Sequence, residues 1–386
     1  MMRNHAVPTL SRSRALLRAA ILVVVSWMVV GLSTAHADPR SVTVMTQNLY
    51  QGTEFAHIQG LAGKPGVTLP EVLAATTADY ATYEHTHFKE RAKQIAAEIA
   101  RNKPDLVGLQ EVATWHKGTF NPLSPFALPA PVSEDFTREL LAALCADGLH
   151  YEVVSRHDNN FTLAFPIVVN AEPFPKNLEA VGMVESGEIL TRSDLPPGQL
   201  KLSNPQQGVY KYKVEFENPY THEEIPFTNS WQSIDAKVRG KTFRFITTHL
   251  DALAPGGVIS GPQAKELLAG PVAGTSLPVI LAGDMNSGLT SAPAAYEAFV
   301  KGGLTDTWTA AGLGAPPLTC CHLGKEDLVN EPSSVYTEDL DHVFTRGGLS
   351  VLNEHLVGNT VPNPPPVPFI WPSDHAGMVA TLAIAP

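Results

Sequence analysis

The chain has 386 residues, of which 44% are hydrophobic and 17% are charged, so it can form one large core or two domains. Its formal net charge of −11 argues against a broad basic surface for duplex nucleic acid. A local basic patch or a small phosphorylated substrate remains compatible with that charge. The sequence shows no fixed-period repeat and no low-complexity linker.

The first 37 residues have the pattern of a secretory signal peptide. Four arginines and no acidic residue precede the apolar run 19–32, and a small-residue cleavage site follows at 35–37. The run is short for a membrane span, and an uncleaved N-terminal anchor is the alternative interpretation. No second long apolar run exists. We therefore predict a signal peptide at 1–37 and a single exported, soluble domain at 38–386.

The three cysteines leave the disulfide pattern open. Export permits a disulfide, and an odd number leaves at least one cysteine unpaired within a monomer. Zinc ligation fits poorly because no Cys-x-x-Cys pair occurs. Cys145 lies in an apolar helical pattern and is predicted to be a buried thiol. The alternatives are a bond from Cys145 to Cys320 or Cys321, or a bond between the two adjacent cysteines.

Strands and helices alternate along the chain, which predicts an α/β domain with sheets inside and helices outside. Short apolar or alternating runs predict strands at 42–48, 105–112, 151–155, 189–190, 233–238, 242–249, 279–282, 340–345 and 377–384. Helical spacing predicts helices at 70–76, 88–102, 263–268 and 293–302, and a further helix capped by Ser133. In the helix 88–102, Arg91 is assigned to the polar side. Loops or turns are predicted at 113–132, 156–183, 194–207 and 362–372.

Polar residues with metal-binding or catalytic chemistry follow several of these strands. Asp284 and Asn286 end a buried strand, and residues i and i+2 of an extended chain project to the same side. Taken alone, the pair is better explained as a turn. The same position at the end of a strand is shared by Asn48, Glu111, His249, Asp374 and His375.

Together these seven residues provide three carboxylates, two carboxamides and two imidazoles, and the chain has no G-x-S-x-G nucleophile motif. Oxygen-rich ligation suits Mg²⁺, Mn²⁺ or Ca²⁺ rather than zinc. The chemistry that uses such a set is metal-assisted hydrolysis of a phosphoester by an activated water.

Six short motifs contain these residues and follow one another along the chain. They are Thr46-Gln47-Asn48, DLVGLQEV at 105–112, Thr248-His249-Leu250, AGDMN at 282–286, DLDHVF at 339–344 and Ser373-Asp374-His375. In this order they resemble the endonuclease/exonuclease/phosphatase superfamily, which includes deoxyribonucleases, apurinic-site endonucleases, neutral sphingomyelinases and inositol 5-phosphatases. The resemblance spans residues 42–384 and implies a four-layer α/β sandwich of two packed, mostly antiparallel sheets flanked by helices.

The resemblance also implies a role for each motif residue. Glu111 would be the principal metal carboxylate, with Asn48 beside it and Asp374 supporting the metal shell. The cofactor implied is Mg²⁺, with Mn²⁺ or Ca²⁺ as alternatives.

The remaining roles concern water and phosphate. Asp284 would position or deprotonate the attacking water, and Asn286 would hold the same water or the phosphate. His375 would contact the phosphoryl oxygen, and Asp341 would orient His375. His249 would bind the phosphate. Which histidine moves a proton stays open.

The sequence departs from the family at Asp339, two residues before Asp341, where relatives usually have an arginine. It motivates an alternative function: an exported binding or recognition protein on the same fold, with catalysis lost. Within the enzyme hypothesis the substrate class also stays open, between nucleic acid, a phospholipid headgroup and a small phosphodiester, and we expect a monomer.

Overall fold

A computed structural model describes residues 41–322, 328–362 and 364–385, without the side chains of 159–162. The predicted signal peptide lies outside the described residues, which form one compact unit. The strands are β1 (Ser41–Asn48), β2 (Leu106–Thr119), β3 (Val132–Asp135), β4 (Tyr151–Val168), β5 (Leu178–Arg192), β6 (Leu200–Val209), β7 (Val214–Glu217), β8 (Glu224–Phe227), β9 (Ser230–Val238), β10 (Lys241–His249), β11 (Val279–Asp284), β12 (Thr305–Asp306), β13 (Asp341–Arg346), β14 (Leu349–Val357) and β15 (Gly377–Ile384). The helices are α1 (Ala56–Gln59), α2 (Leu69–His85), α3 (Phe88–Asn102), α4 (Phe136–Ala146), α5 (Ser260–Leu267), α6 (Ala294–Lys301) and α7 (Thr307–Ala310). Nowhere in these ranges is a helix long and apolar enough to cross a bilayer.

Two mixed sheets make up the centre of the fold. The first has the order β14-β15-β1-β2-β5-β4, with β3 added beside β2, and the second has the order β12-β13-β11-β10-β9-β6. A parallel pair lies inside each sheet, β1 with β2 and β10 with β11, while the other pairings are antiparallel. Because parallel neighbours point their carboxyl ends the same way, each sheet collects polar residues at one edge.

The hydrophobic residues divide into layers that follow from strand alternation. In β11, Ile280 and Ala282 belong to the core between the sheets, whereas Val279 and Leu281 belong to the core under α5 and α6. A third core lies between the first sheet and helices α2, α3 and α4. Helices, sheet, sheet and helices therefore stack in four layers, which confirms the predicted α/β sandwich.

The sheets approach each other closely near the end of the parallel pairs. A Cβ atom added to Gly108 would lie 2.3 Å from Thr247 Oγ1 on the opposite sheet. Next to it, Gln110 Nε2 donates a hydrogen bond of 2.9 Å to the same hydroxyl oxygen. This glycine is needed because no larger side chain fits the gap.

Three predicted loops are wrong, since residues in all of them form strands. The strand β4 continues to Val168 and pairs with β5, where 156–183 was predicted to be loop. The strand β6 occupies part of 194–207, and β2 extends to Thr119 within 113–132. The strand β6 is a mostly exposed edge strand, and β4 is interrupted by bulges, so neither shows a clean apolar alternation.

Two helix starts also differ from the prediction. The helix α4 begins at Phe136 rather than near Ser133, because Asp135 is its N-cap and accepts a hydrogen bond from the amide of Arg138. The helix α2 extends well beyond the predicted 70–76, and Thr68 and Glu71 form a capping box at its start.

The prediction of a buried Cys145 is wrong, because its side chain is exposed and its thiol is free. In α4 the residues that face the core are Phe136, Leu140 and Leu144. Cys320 and Cys321 form a disulfide with each other. The open choice of pairing is thereby decided for the adjacent cysteines.

Candidate functional site

The rows of side chains that face the gap between the sheets end in polar residues. Asp284 lies two residues beyond Ala282 in β11, so strand alternation aims it into the gap. The same alternation holds in β1, β10 and β13. The four side chains placed in this way are Asn48, His249, Asp284 and Asp341.

Glu111 reaches the same place through an irregularity in β2. By simple alternation it would face away from the gap, with Leu109. Its backbone has a φ of 52°, and the pairing of β2 with β5 shifts register between Leu109 and Val112. A bulge of this kind re-aims one side chain, and non-glycine residues with positive φ are often found at functional sites. The backbone therefore turns Glu111 into the site.

His375 is held between two carboxylates of the second sheet. Its Nδ1 lies 2.7 Å from Asp341 Oδ2, and its Nε2 lies 3.7 Å from Asp284 Oδ2. Burial disfavours the charged imidazole, but Asp341, Asp284 and Asp374 outweigh it and raise the pKa of His375 well above its usual value. Burial also raises the pKa of Asp341, against the opposing effect of His375. The pair fixes the ring and leaves Nε2 directed towards Asp284.

Asn48 connects the carboxylates from beneath the site. Its Nδ2 donates to Glu111 Oε1 at 2.9 Å and to Asp284 Oδ2 at 3.0 Å, and it lies 3.4 Å from His375 Nε2. Its Oδ1 accepts from the backbone amide of Tyr50. Asn48 therefore presents its NH₂ group to the acidic residues, and its role as a metal ligand stays a prediction.

His249 is the second histidine close to Asp284. Its Nε2 lies 3.6 Å from Asp284 Oδ2, and its Nδ1 lies 3.4 Å from Glu185 Oε1. Burial lowers the pKa of His249, but the bond to Glu185 and the charges of Asp284 and Glu111 raise it to about 10. A charged imidazole in this position is suited to bind an anion.

Asn286 and Asp374 complete the set. The backbone amide of Asn286 donates to Asp284 Oδ1 at 2.9 Å, and its Nδ2 donates to the carbonyl of Leu250 at 2.8 Å. Burial raises the pKa of Asp374 to about 7, with a further contribution from the charge of Glu111. A cavity of about 150 Å³ is lined by six of the eight predicted residues, while Asn48 and Asp341 are fully buried.

The donor chemistry of this cavity fits a hard divalent cation. Glu111, Asp284 and Asp374 line it, and Asp284, Asp341 and His375 also bring ligand atoms within 4.8 Å of one another. Cys320 and Cys321 lie close to Asp374 and His375, but their sulfur atoms are bonded to each other and are not thiolates. Zinc–thiolate ligation is therefore absent from this cluster in the oxidised protein.

Sequence reasoning missed a buried cation beneath the site, because Arg91 was assigned to the polar side of its helix. Arg91 is fully buried, and its guanidinium donates to the carbonyls of Leu49, Tyr50, Thr86 and Pro372. Burial lowers its pKa to about 10. It ties the segment after β1 to the segment that carries Asp374. Its spacing of three residues from Phe88 and four from Ile95 places it on the apolar face, and this signal was present in the sequence.

Thr319 was missed as well, in a segment with no recognisable motif. Its Oγ1 accepts hydrogen bonds from the backbone amides of Leu340 and Asp341 at 3.1 and 3.0 Å, and its carbonyl accepts from Ala376. This one residue joins the start of β13 to the segment after His375. No pattern in the sequence indicates such a contact across 22 residues.

Asp339, which departs from the family motif, has a structural role in this chain. Its carboxylate accepts hydrogen bonds from the backbone amide and the hydroxyl of Thr290. The loop that follows Asn286 is thereby tied to the start of β13. Asp339 itself is not among the residues that line the cavity.

One protein family and several solved structures are similar to this chain. The model of the Endonuclease/Exonuclease/phosphatase family matches residues 85–375. Among solved structures, a protein of that family from Bacteroides thetaiotaomicron is 17% identical, with a TM-score of 0.52 over 90% of this chain and 98% of that one. A family protein from Leptotrichia buccalis C-1013-b is 16% identical, with a TM-score of 0.50 and coverage of 88% and 99%.

A mannosyl-6-phosphatase from Bacteroides thetaiotaomicron VPI-5482 is 17% identical, with a TM-score of 0.50 and coverage of 88% and 99%. At these identities the solved structures show a shared fold. No curated protein matches the chain. The family match covers most of the chain, and the site lies where the two sheets meet. The chain therefore belongs to the endonuclease/exonuclease/phosphatase family and is a phosphoester hydrolase.

Proposed function

We propose that this chain is an exported, divalent-metal-dependent phosphodiesterase. The observation that carries the proposal is a single hydrogen-bonded network, in which Asn48 contacts Glu111, Asp284 and His375, and Asp341 holds the far side of the His375 ring. Such a network presents carboxylates for a cation and a fixed imidazole for a phosphoryl oxygen within one cavity.

Glu111 and Asp374 are the residues that would hold the cation, with Mg²⁺ preferred and Mn²⁺ or Ca²⁺ as alternatives. Burial, and to a smaller extent the charge of Glu111, raises the pKa of Asp374, and a bound cation would offset both effects. When bound, the cation supplies positive charge for the phosphoryl oxygens.

The residues of the chain supply the remaining steps. Asp284 orients the attacking water as its hydrogen-bond acceptor and takes up its proton. Asn286 contributes its side-chain oxygen to the same water, since its Nδ2 is directed to Leu250. His375, oriented by Asp341, donates through Nε2 to a phosphoryl oxygen, and His249 binds a second one.

The test is hydrolysis of bis(p-nitrophenyl) phosphate, DNA and sphingomyelin, with Mg²⁺ or with EDTA. We expect turnover of at least one phosphodiester that EDTA abolishes and Mg²⁺ restores. Asp284→Ala and His375→Ala should each lower kcat by about 1,000-fold or more with an unchanged circular dichroism spectrum. Glu224→Gln, an exposed change in β8, is the control. Absence of metal-dependent turnover on every phosphoester, together with no cation binding by calorimetry, would favour the alternative of a binding protein.

Export is proposed from the basic segment, apolar run and cleavage site in residues 1–37. Expression of the full chain in a bacterial host that recognises such signals should place the protein outside the cytoplasm. Its N-terminus, determined by mass spectrometry, should begin at Asp38. Recovery of the intact chain in the membrane fraction would instead indicate an uncleaved anchor.

A further inference from the structure

The disulfide between Cys320 and Cys321 lies in the wall of the cavity that holds the candidate site. Both cysteines line this cavity together with Asp374 and His375. The third cysteine, Cys145, lies in α4 and is not among the residues that line it. The proposed hydrolysis uses neither sulfur atom of the disulfide. The chain therefore carries a reducible bond with no assigned role directly beside two of its site residues.

This bond is not what holds its segment in place. A disulfide stabilises a protein mainly by closing a loop of the unfolded chain, and a bond between adjacent residues encloses no loop. Backbone hydrogen bonds hold the segment instead. The amide of Cys320 donates to the carbonyl of Glu338, its carbonyl accepts from the amide of Thr337 at 2.7 Å, and the carbonyl of Thr319 accepts from the amide of Ala376. None of these contacts involves sulfur, so the two cysteines stay beside the site when the bond is reduced.

A small dithiol can reach the disulfide from the cavity. Cys321 is partly exposed, whereas Cys320 is buried, so the accessible residue of the pair is Cys321. A thiolate of the dithiol attacks the sulfur of Cys321 and displaces the Cys320 thiolate, and the second thiol of the reductant then releases Cys321 by closing a cyclic disulfide. The dithiol gives up two electrons and two protons, and the protein gains two thiols.

The two thiols complete a set of ligands for a soft cation. Cys320, Cys321, Asp374 and His375 each offer one ligand atom, and these atoms all lie within 4.8 Å of one another. Two thiolates, an imidazole nitrogen and a carboxylate oxygen suit Zn²⁺ with four ligands, whereas Mg²⁺ prefers oxygen ligands. Three of the four residues are buried, which limits access of water to a bound cation.

We propose that reduction of the Cys320–Cys321 disulfide creates a zinc site from both thiolates, Asp374 and His375, and that zinc bound there blocks hydrolysis. Asp374 and His375 are the residues proposed for the catalytic cation and the phosphoryl oxygen, so the two uses exclude each other. The zinc site is independent of the proposed function, whereas the block of hydrolysis rests on it. The oxidised protein is then the active form, in keeping with the proposed export to an oxidising environment.

The test uses the variant Cys145→Ser, in which thiolate signals come from the adjacent cysteines alone. The protein is reduced with dithiothreitol, freed of the reductant without oxygen and titrated with Co²⁺, whose bonds to thiolates give an intense charge-transfer absorption. We expect this absorption in the reduced protein, its absence in the oxidised protein, and its loss when Zn²⁺ displaces Co²⁺. Calorimetry should show zinc affinity about 100-fold higher for the reduced than for the oxidised protein, because two thiolate ligands are added.

The variant Cys320→Ser/Cys321→Ser in the same background should lose both the absorption and the gain in zinc affinity. The reduced Cys145→Ser protein with one equivalent of zinc should hydrolyse bis(p-nitrophenyl) phosphate about 100-fold more slowly than the oxidised protein with the same zinc, because the metal occupies His375. Removal of the zinc followed by reoxidation should restore the rate.

Reduced protein without thiolate absorption, whether its circular dichroism spectrum is native or altered, overturns the inference and leaves the proposed function intact. Thiolate absorption together with an undiminished rate overturns the block of hydrolysis. Thiolate absorption in a protein that hydrolyses no phosphodiester in either redox state supports the zinc site and counts against the proposed function.

Discussion

The two sheets contribute to the site in the same topological way but with different precision. In each sheet a parallel pair lies beside an antiparallel strand: β15, β1 and β2 in the first, and β13, β11 and β10 in the second. In the second sheet, His249 pairs in register with Asp284, and Asp284 with Asp341. Three neighbouring strands thus hold three site residues in one row.

In the first sheet, only Asn48 occupies a regular strand position. Glu111 depends on a bulge with positive φ, and Asp374 and His375 lie in the segment before β15. Buried contacts from Arg91 and Thr319 hold the segment of Asp374 and His375, and the amide of Gln51 donates to Glu111. The second sheet therefore positions its site residues through its own pairing, whereas the first needs supports outside the sheet.

The largest effect is expected for the hydrogen bond between His375, which lies before β15 of the first sheet, and Asp341 of the second sheet. Asp341→Asn and His375→Ala should each reduce kcat by about 1,000-fold, and the double variant should be no more than a few-fold worse than His375→Ala. Such non-additivity is expected because Asp341 acts through the ring that it orients. The test is to measure kcat of the native enzyme, the two single variants and the double variant, from initial rates with a diester that the enzyme hydrolyses. Fully additive losses would show that Asp341 has an independent role.

Replacement of the buried Arg91 should weaken the part of the site that the first sheet provides. Arg91→Lys cannot reach four carbonyls with one ammonium group, so we expect a loss of about 3 kcal/mol in the free energy of unfolding. Cation affinity should fall as well, because the segment of Asp374 and the segment after β1, whose Gln51 amide donates to Glu111, both lose their anchor. Urea denaturation and calorimetry with Mg²⁺ measure the two effects. Lys93→Arg, on the exposed side of the same helix, should change neither.

A smaller effect is expected for Thr319, which contacts the start of β13 in the second sheet. Thr319→Val leaves the buried amides of Leu340 and Asp341 without their acceptor, which should cost about 2 kcal/mol and lower kcat roughly tenfold. Thr319→Ser keeps the hydroxyl and should restore most of the rate. If Ser and Val behave alike, packing of the methyl group explains the effect and the hydrogen bonds do not.

The smallest effect on activity is expected for a buried polar contact between α7 and β14, outside the cavity. Glu354 of β14 is buried, its Oε1 lies 2.7 Å from Thr307 Oγ1, and burial raises its pKa to about 8. The folded state therefore favours the protonated acid. The resulting contribution to stability is fully present below the ordinary pKa of a glutamate and is lost as the pH rises to about 8. Stability should fall by up to about 1.4 kcal/mol per pH unit from this group.

Glu354→Gln should remove that part of the pH dependence, so the variant should equal the native protein near pH 5 and exceed it in stability near pH 8. Thermal unfolding at both pH values measures the difference. Because the residue is outside the cavity, kcat should not change. A variant with the same pH dependence as the native protein would contradict the assignment.

Local patterns in the sequence determined much of the second sheet. The hairpin of β9 and β10, the buried strand β11 and the strand β13 all follow from short-range alternation, and that alternation also aims Asp284 and Asp341 to one side. The order of the motifs then implied the family and the four layers. Each of these signals is contained in a few consecutive residues.

The rest depended on contacts between distant segments. The turn of Glu111 into the cavity arises from a bulge against β5, and the burial of Arg91 arises from carbonyls of three other segments. Edge strands such as β6 carry no apolar alternation, because the sheet pairs them through the backbone. The sequence therefore determined which groups the site contains, and the tertiary structure decided how they are held and what charge surrounds them, since backbone pairing and burial act across the whole fold.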